Sequence, residues 1–108
     1  TLDEFANMLN DVTGWDYKAS DIEITARRIL TLERLFNHAC GIKREDDWLP
    51  DRFFDQPILV NGKKEVCDRK EFQRMRKEYY EAMGWDDNGI PKKETLEQLC
   101  IEKYWDKN

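Results

Sequence analysis

No apolar run in this sequence approaches the roughly 18–20 residues that a membrane-spanning helix needs, which excludes the simplest kind of membrane protein. A basic surplus is missing as well. The 18 Lys and Arg stand against 23 Asp and Glu, a net charge of -5 with both signs interspersed, so no basic stripe is offered to nucleic-acid phosphates. Cysteines number three, Cys40, Cys67 and Cys100, widely spaced and without a Cys-x-x-Cys pair. That excludes a disulfide framework and points to free thiols in a reducing, cytoplasmic setting. The single histidine, His38, lies two residues from Cys40, and on a helix that spacing turns the two side chains about 200° apart. Zinc and iron–sulfur sites take three or four convergent ligands, which this pattern does not supply. Gly-x-x-x-x-Gly-Lys, Gly-x-Gly-x-x-Gly and Gly-x-Ser-x-Gly are all absent. The carboxylates sit among basic partners in hydrophilic stretches, where nothing raises a pKa for acid–base work. Residue chemistry alone therefore predicts neither catalysis nor a resident metal.

What is present is a helical domain. The 108 residues suit one domain, and 40% hydrophobic with 12% aromatic content is enough for a modest core. Thr1 with Glu4 forms a capping-box pattern, and Leu2, Phe5, Leu9 and Val12 follow at helical spacing, predicting a helix over residues 2–12 closed by Gly14. Ser20 with Glu23 starts a second over residues 20–40, with a stripe of Ile22, Ile29, Leu32, Phe36 and Ala39 and a stop at Gly41. A charged loop then leads to Pro50, suited to the first turn of a short helix carrying Phe53 and Phe54. In residues 56–67, Ile58-Leu59-Val60 before Asn61-Gly62 signals a hairpin, though the return arm alternates poorly, so a loop or at most a two-stranded ribbon is expected. Asp68 with Glu71 opens a third helix over residues 69–83, with Phe72, Met75, Tyr79, Ala82 and Met83 inward. A fourth begins near Lys92. Gly-Trp-Asp follows a helix end twice, at residues 14–16 and 84–86, and each Trp should plug back onto its helix. Asp86-Asp87-Asn88-Gly89 has the wrong register for a calcium loop and reads as a tight turn. The expectation is an all-α fold: a compact orthogonal bundle of about four helices with long irregular connections, one domain over residues 1–108.

The run Leu32-Glu33-Arg34-Leu35-Phe36-Asn37, then Gly41, Arg44, Asp46-Asp47-Trp48-Leu49-Pro50 and Arg52, resembles the C-terminal region of tungsten-containing aldehyde ferredoxin oxidoreductases. In that family a helix ending Leu-Glu-Arg-x-Phe-Asn passes a glycine and an Arg-x-Asp-Asp loop to reach Leu-Pro-x-Arg. Gly14-Trp15-Asp16, Tyr79-Tyr80 and the stretch from Gly84 to Pro91 match in order, so the similarity spans nearly the whole chain. It implies a piece of a larger enzyme that oxidises aldehydes to carboxylic acids at a tungsten–bispterin centre and passes electrons through a [4Fe–4S] cluster to ferredoxin. The implied partners are the rest of the parent polypeptide and ferredoxin. No cofactor is assigned to this fragment, which is expected to be inactive alone: the pterin and cluster motifs should lie upstream of Thr1, and Pro91 stands where the pterin motif wants Cys or Asp. No catalytic residue is assigned. Arg34, Asn37, Arg44, Asp47 and Arg52 are expected to form a structural network pinning the acidic loop to the second helix. From residue chemistry alone the charged loop reads first as solvated, and second as an ordered network with Arg44 and Arg52 forking onto Asp46, Asp47 or Asp51. Where the family pattern wants Leu-Gly-Leu, this chain has Leu99-Cys100-Ile101, so Cys100 either extends the last helix or is strained. The alternative function is a stand-alone helical protein-interaction module without catalysis.

Overall fold

Thr1 caps the first helix: its hydroxyl accepts from the Glu4 amide at 3.2 Å while its amino group donates to the Glu4 carboxylate at 2.6 Å. In the computed structural model, which describes residues 1–105, helix α1 runs Leu2–Thr13 and ends at Gly14, whose φ of 73° is open to glycine at little cost. Helix α2 runs Ala19–Ala39. Ser20 lies inside it rather than at its cap, because the Asp21 carboxylate accepts from the Lys18 amide at 2.8 Å and starts the helix earlier than the Ser20–Glu23 pattern predicts. A 3-10 turn at Arg44–Asp46 leads to the short α3, Arg52–Asp55. Helix α4 covers Arg69–Met83, capped by the Asp68 carboxylate on the Glu71 amide at 2.9 Å, and α5 covers Lys93–Gln98.

The all-α, four-helix expectation needs correction on three counts. Among the described residues there are five α-helices, and β1 (Ile58–Val60) pairs antiparallel with β2 (Lys63–Glu65), Ile58 opposite Glu65. Asn61 and Gly62, at φ 51° and 79°, make the turn between them, the mirror-image geometry that matches strand twist. Nor is the fold compact. Its radius of gyration is 18.0 Å against about 13 Å for a globular chain of this length, and it is a slab of 49 × 42 × 20 Å.

The slab explains a third correction, to which faces are buried. Leu35, Leu96, Leu99 and Ile101 form one small core, flanked by Leu32 and Trp105, and Tyr80, Met83 and Trp85 form another. Among the described residues nine hydrophobic side chains are buried while eighteen large ones are exposed, so much of the apolar surface is left facing outward. Phe5, Val12, Ile29, Phe36, Met75 and Tyr79, read from spacing as inward, are exposed. Helix α4 buries Met83 and half-buries Phe72, as the spacing predicts, but buries Tyr80 and half-buries Arg76 where the spacing predicts Met75 and Tyr79. The repeated Gly-Trp-Asp also splits: Trp85 is buried, as a plug should be, and Trp15 is exposed.

Three arginines of α2 hold the slab together by reaching carbonyls remote in sequence. Arg27 donates to the Ala82 carbonyl at 2.9 Å and Arg28 to that of Leu99 at 2.8 Å, both at helix C-terminal ends where carbonyls lack intrahelical partners. The third is Arg34.

After α5 the chain turns at Cys100, held at φ 55°, and continues into a 3-10 turn at Glu102–Tyr104. A left-handed non-glycine residue costs about 1–2 kcal/mol. Cys100→Gly should therefore raise the melting temperature of the chain, by up to about 1 kcal/mol of stability once glycine's extra unfolded entropy is subtracted. Gly84→Ala should lower it, since a Cβ there would lie 2.3 Å from the Thr95 hydroxyl at φ +72°. Thermal melts followed by circular dichroism check both signs.

Candidate functional site

The third arginine of α2 sits where four segments converge on one charged group. Arg34 is 8% exposed. A guanidinium removed from water needs partners for its donors, and here they are a carbonyl and a carboxylate. Nε donates to the Gly89 carbonyl at 2.7 Å, Nη1 to Asp47 Oδ1 at 2.9 Å, and Nη2 lies 2.6 Å from Asp47 Oδ2. That is the parallel fork in which arginine binds carboxylates most strongly. The Tyr80 hydroxyl donates a short hydrogen bond to the same Asp47 Oδ2. The guanidinium also lies over the rings of Tyr80 and Trp85, at 5.7 and 5.4 Å from their centroids.

Each partner is placed by its own local geometry. Asp47 follows the 3-10 turn, which Asp46 caps by accepting from the Lys43 amide at 2.8 Å. Arg76 of α4 clamps the turn from outside, donating to the carbonyls of Arg44 and Asp47 at 3.1 and 3.0 Å. Gly89 lies in a turn built on Asp86, whose carboxylate accepts from the amides of Asn88 and Ile90, while Trp85 and Pro91 pair as an isolated antiparallel bridge. Gly89 takes φ +72° and has no spare room: a Cβ would lie 2.3 Å from Arg34 Nη2 and 2.8 Å from the Tyr80 ring.

The electrostatics follow from the geometry. Burial pushes the Asp47 carboxyl up, but hydrogen bonds from Arg34 and Tyr80 and the charges of Arg34 and Arg76 outweigh it and hold Asp47 below the ordinary carboxylate value. Burial and the Asp47 carboxylate together push the Tyr80 phenol up to about 12. The group is thus an ion pair with a neutral phenol donating to its carboxylate.

Of the five residues expected in a network, the structure brings Arg34 and Asp47 together. Asn37 accepts through its carbonyl from the Ile42 amide at 3.0 Å and lines a groove of about 520 Å³ beside Leu30, Trp48 and Tyr79. Arg44 joins through its carbonyl only, and its side chain borders a small pocket with Arg76 and Lys77. Arg52 stacks on Phe53, 5.2 Å from the ring centroid. Asp51 is held by Arg69, at 3.1 Å, and not by Arg44 or Arg52. Sequence reasoning missed Tyr80, Arg76 and Gly89 as partners. Only Gly89 carried a local signal, being a glycine in a tight turn.

The groups of a tungsten–pterin or iron–sulfur centre do not fit these residues. Cys40, Cys67 and Cys100 are exposed, free and on separate elements, and no three His, Cys, Asp or Glu side chains converge among the described residues. The Asp86 carboxylate is already engaged by its own turn, and the space over Gly89 is filled by Arg34 and Tyr80.

The family described as "Aldehyde ferredoxin oxidoreductase, domains 2 & 3" matches residues 1–101. The tungsten-containing aldehyde ferredoxin oxidoreductase of Pyrococcus furiosus is 35% identical over 104 residues, covering 95% of this chain and 17% of that protein. Its counterpart from Pyrococcus horikoshii is 33% identical over 103 residues, with 94% and 17% covered. The WOR-like subunit of an aliphatic sulfonate oxidoreductase from Pyrococcus furiosus is 40% identical over 58 residues, covering 54% of this chain and 9% of that protein. Among solved structures, the active-site complex BamBC of benzoyl coenzyme A reductase, in complex with 1,5-dienoyl-CoA, superposes with a TM-score of 0.74 at 26% identity, over 94% of this chain and 14% of that one. The chain thus spans about a sixth of the length of the tungsten enzymes it matches, 17% of each.

Removing one partner of a buried pair leaves the other uncompensated, so Arg34→Met should cost about 3 kcal/mol, near the low end for buried pairs because Asp47 is partly exposed. Two pH effects have opposite signs. Asp47, depressed on folding, adds stability that is present above its unfolded value near about 4 and is lost as pH falls through its folded value, so Asp47→Asn should flatten the acid limb of a stability–pH curve. Tyr80, raised on folding, adds stability that is present below 10 and lost as pH rises toward 12, so Tyr80→Phe should flatten the alkaline limb. Urea melts across the pH range check both.

Proposed function

The chain belongs to the aldehyde ferredoxin oxidoreductase family, and from that premise we propose that it is a scaffolding part of the C-terminal region of a tungsten-dependent enzyme. The proposed parent oxidises aldehydes to carboxylic acids and passes the electrons to ferredoxin. Its tungsten is bound by a bispterin and wired through a [4Fe–4S] cluster, with ligands outside these 108 residues. The observation that carries this reading is the family match running from α1 to Ile101 while the buried Arg34 is closed off in a lock with Asp47 and Tyr80. A closed ion pair with a phenol pushed up to about 12 suits holding segments in place, not proton transfer. The relatives carry their activity on chains about six times longer, so oxidation of aldehydes and docking of ferredoxin are assigned to the parent as a whole. A cytoplasmic location belongs to the same proposal, supported by three free, exposed thiols. No helix among the described residues is long and apolar enough to cross a membrane.

In this role the lock fixes the relative positions of α2, the acidic loop, α4 and the turn at Gly89, so that the slab presents a rigid wall. In the full-length polypeptide, Asp47→Ala should lower the melting temperature while turnover per correctly folded, tungsten-loaded molecule stays within about twofold of the parent. Normal melting with lost turnover would make the loop catalytic instead. The 108-residue chain purified alone should carry neither tungsten nor iron in stoichiometric amount, checked by elemental analysis. One metal per chain, or binding of an unrelated protein with no link to a tungsten enzyme, would overturn the reading.

A further inference from the structure

Helix α1 is packed the wrong way round for a helix that completes its own fold. It turns Ala6 inward with Leu9 and Asn10 half-buried, and Asn10 clasps the Tyr17 backbone at both ends of its amide, 2.8 Å each way. Its large apolar residues, Leu2, Phe5, Met8 and Val12, form a stripe centred about 100° round the helix from Ala6, and Val12 is 86% exposed. Twelve residues make a marginal helix in water without an apolar face to pack, and the slab covers only the small-residue side. The charge on this segment is of one sign. Residues 1–17 contain Asp3, Glu4, Asp11 and Asp16 and no Lys or Arg, in a chain that otherwise mixes the two.

We propose that α1 is a docking helix whose Leu2–Phe5–Met8–Val12 stripe inserts into an apolar groove rimmed by Lys or Arg on the part of the oxidoreductase polypeptide that this chain does not match. The proposal rests on the reading above that the chain is built into a larger enzyme, and adds which element makes the joint and what the other side looks like. Two observations support that occupant. The family match includes all of α1, so the helix is a family element and not an appendage, and the matched relatives hold more than four-fifths of their length beyond the match. An amphipathic helix with anchors at i, i+3 and i+7, the spacing of Phe5, Met8 and Val12, is a form in which one polypeptide commonly fills a groove in another. A second copy fits less well, because a twofold pairing of α1 stripes brings the flanking Glu4 and Asp11 of one helix toward the same acidic residues of the other, and like charges across an interface cost several kcal/mol.

The test is hydrogen exchange of the α1 amides in the full-length polypeptide and in the 108-residue chain. Docking predicts at least about a tenfold slowing in the full-length protein, with Phe5→Glu returning α1 to the rate of the isolated chain. Asp11→Lys should speed α1 exchange in the full-length protein at low ionic strength, with the effect gone near about 1 M salt, where screening acts within about 3 Å. Unchanged α1 exchange in a full-length protein that holds tungsten would overturn the docking helix and leave the family reading standing. Protection of α1 in the isolated chain, accompanied by a dimeric mass in light scattering, would put a second copy in the groove's place and overturn the proposal. A full-length protein without tungsten would overturn the parent reading and the docking helix with it. Protection without any effect of Asp11→Lys would remove the basic rim.

Discussion

A guanidinium taken out of water must have its donors met, and this constraint on Arg34 organises the molecule. The partners come from segments 13 and 55 residues away in sequence, Asp47 and Gly89, and the stacking rings of Tyr80 and Trp85 come from beyond α4's midpoint. Tyr80 and Arg76 then secure Asp47 and its turn from the α4 side. Because each component is useful only when the others are in place, the group acts cooperatively, and partial satisfaction would be worse than an apolar substitute.

The same constraint accounts for the shape. A fold held by arginines reaching helix-end carbonyls and one buried ion pair can be thin, because it does not depend on enclosing a thick core. It leaves apolar stripes on α1, α2 and α4 facing outward, together with a hairpin whose two strands are exposed throughout. An isolated two-stranded ribbon is marginal in water. These surfaces make physical sense as joints in a protein several times larger, which is the setting in which the family matches find the sequence.

Local signals decided what could be read early. The Thr1–Glu4 box, Gly14, Asp68 and Gly84 place the ends of α1 and α4 because capping and left-handed turns involve neighbours only. Asn61-Gly62 placed the hairpin turn for the same reason. At Cys100, where the family pattern wants glycine, a left-handed residue is what the backbone takes. Faces were misread where the rule that apolar stripes point inward assumes a complete globule. Ile29, Phe36, Met75 and Tyr79 have the right spacing, yet the apolar stripe and the buried face of these helices differ, and these four side chains stay exposed among the described residues. Arg44 and Arg52 looked like partners for the acidic loop by proximity in sequence, whereas the fork is made by Arg34 across 13 residues.

By itself the sequence determined the limits of α1 and α4, set by caps and glycines, and the family, because these depend on residue type at short range or on many ordered matches together. Only the tertiary structure decided that Arg34, Asp47, Tyr80 and Gly89 form one lock, and that the apolar stripe of α1 is left open. Both are outcomes of long-range placement. The partners of a buried charge, and the covering of an apolar face, are settled by which segments meet, and no short-range spacing encodes that.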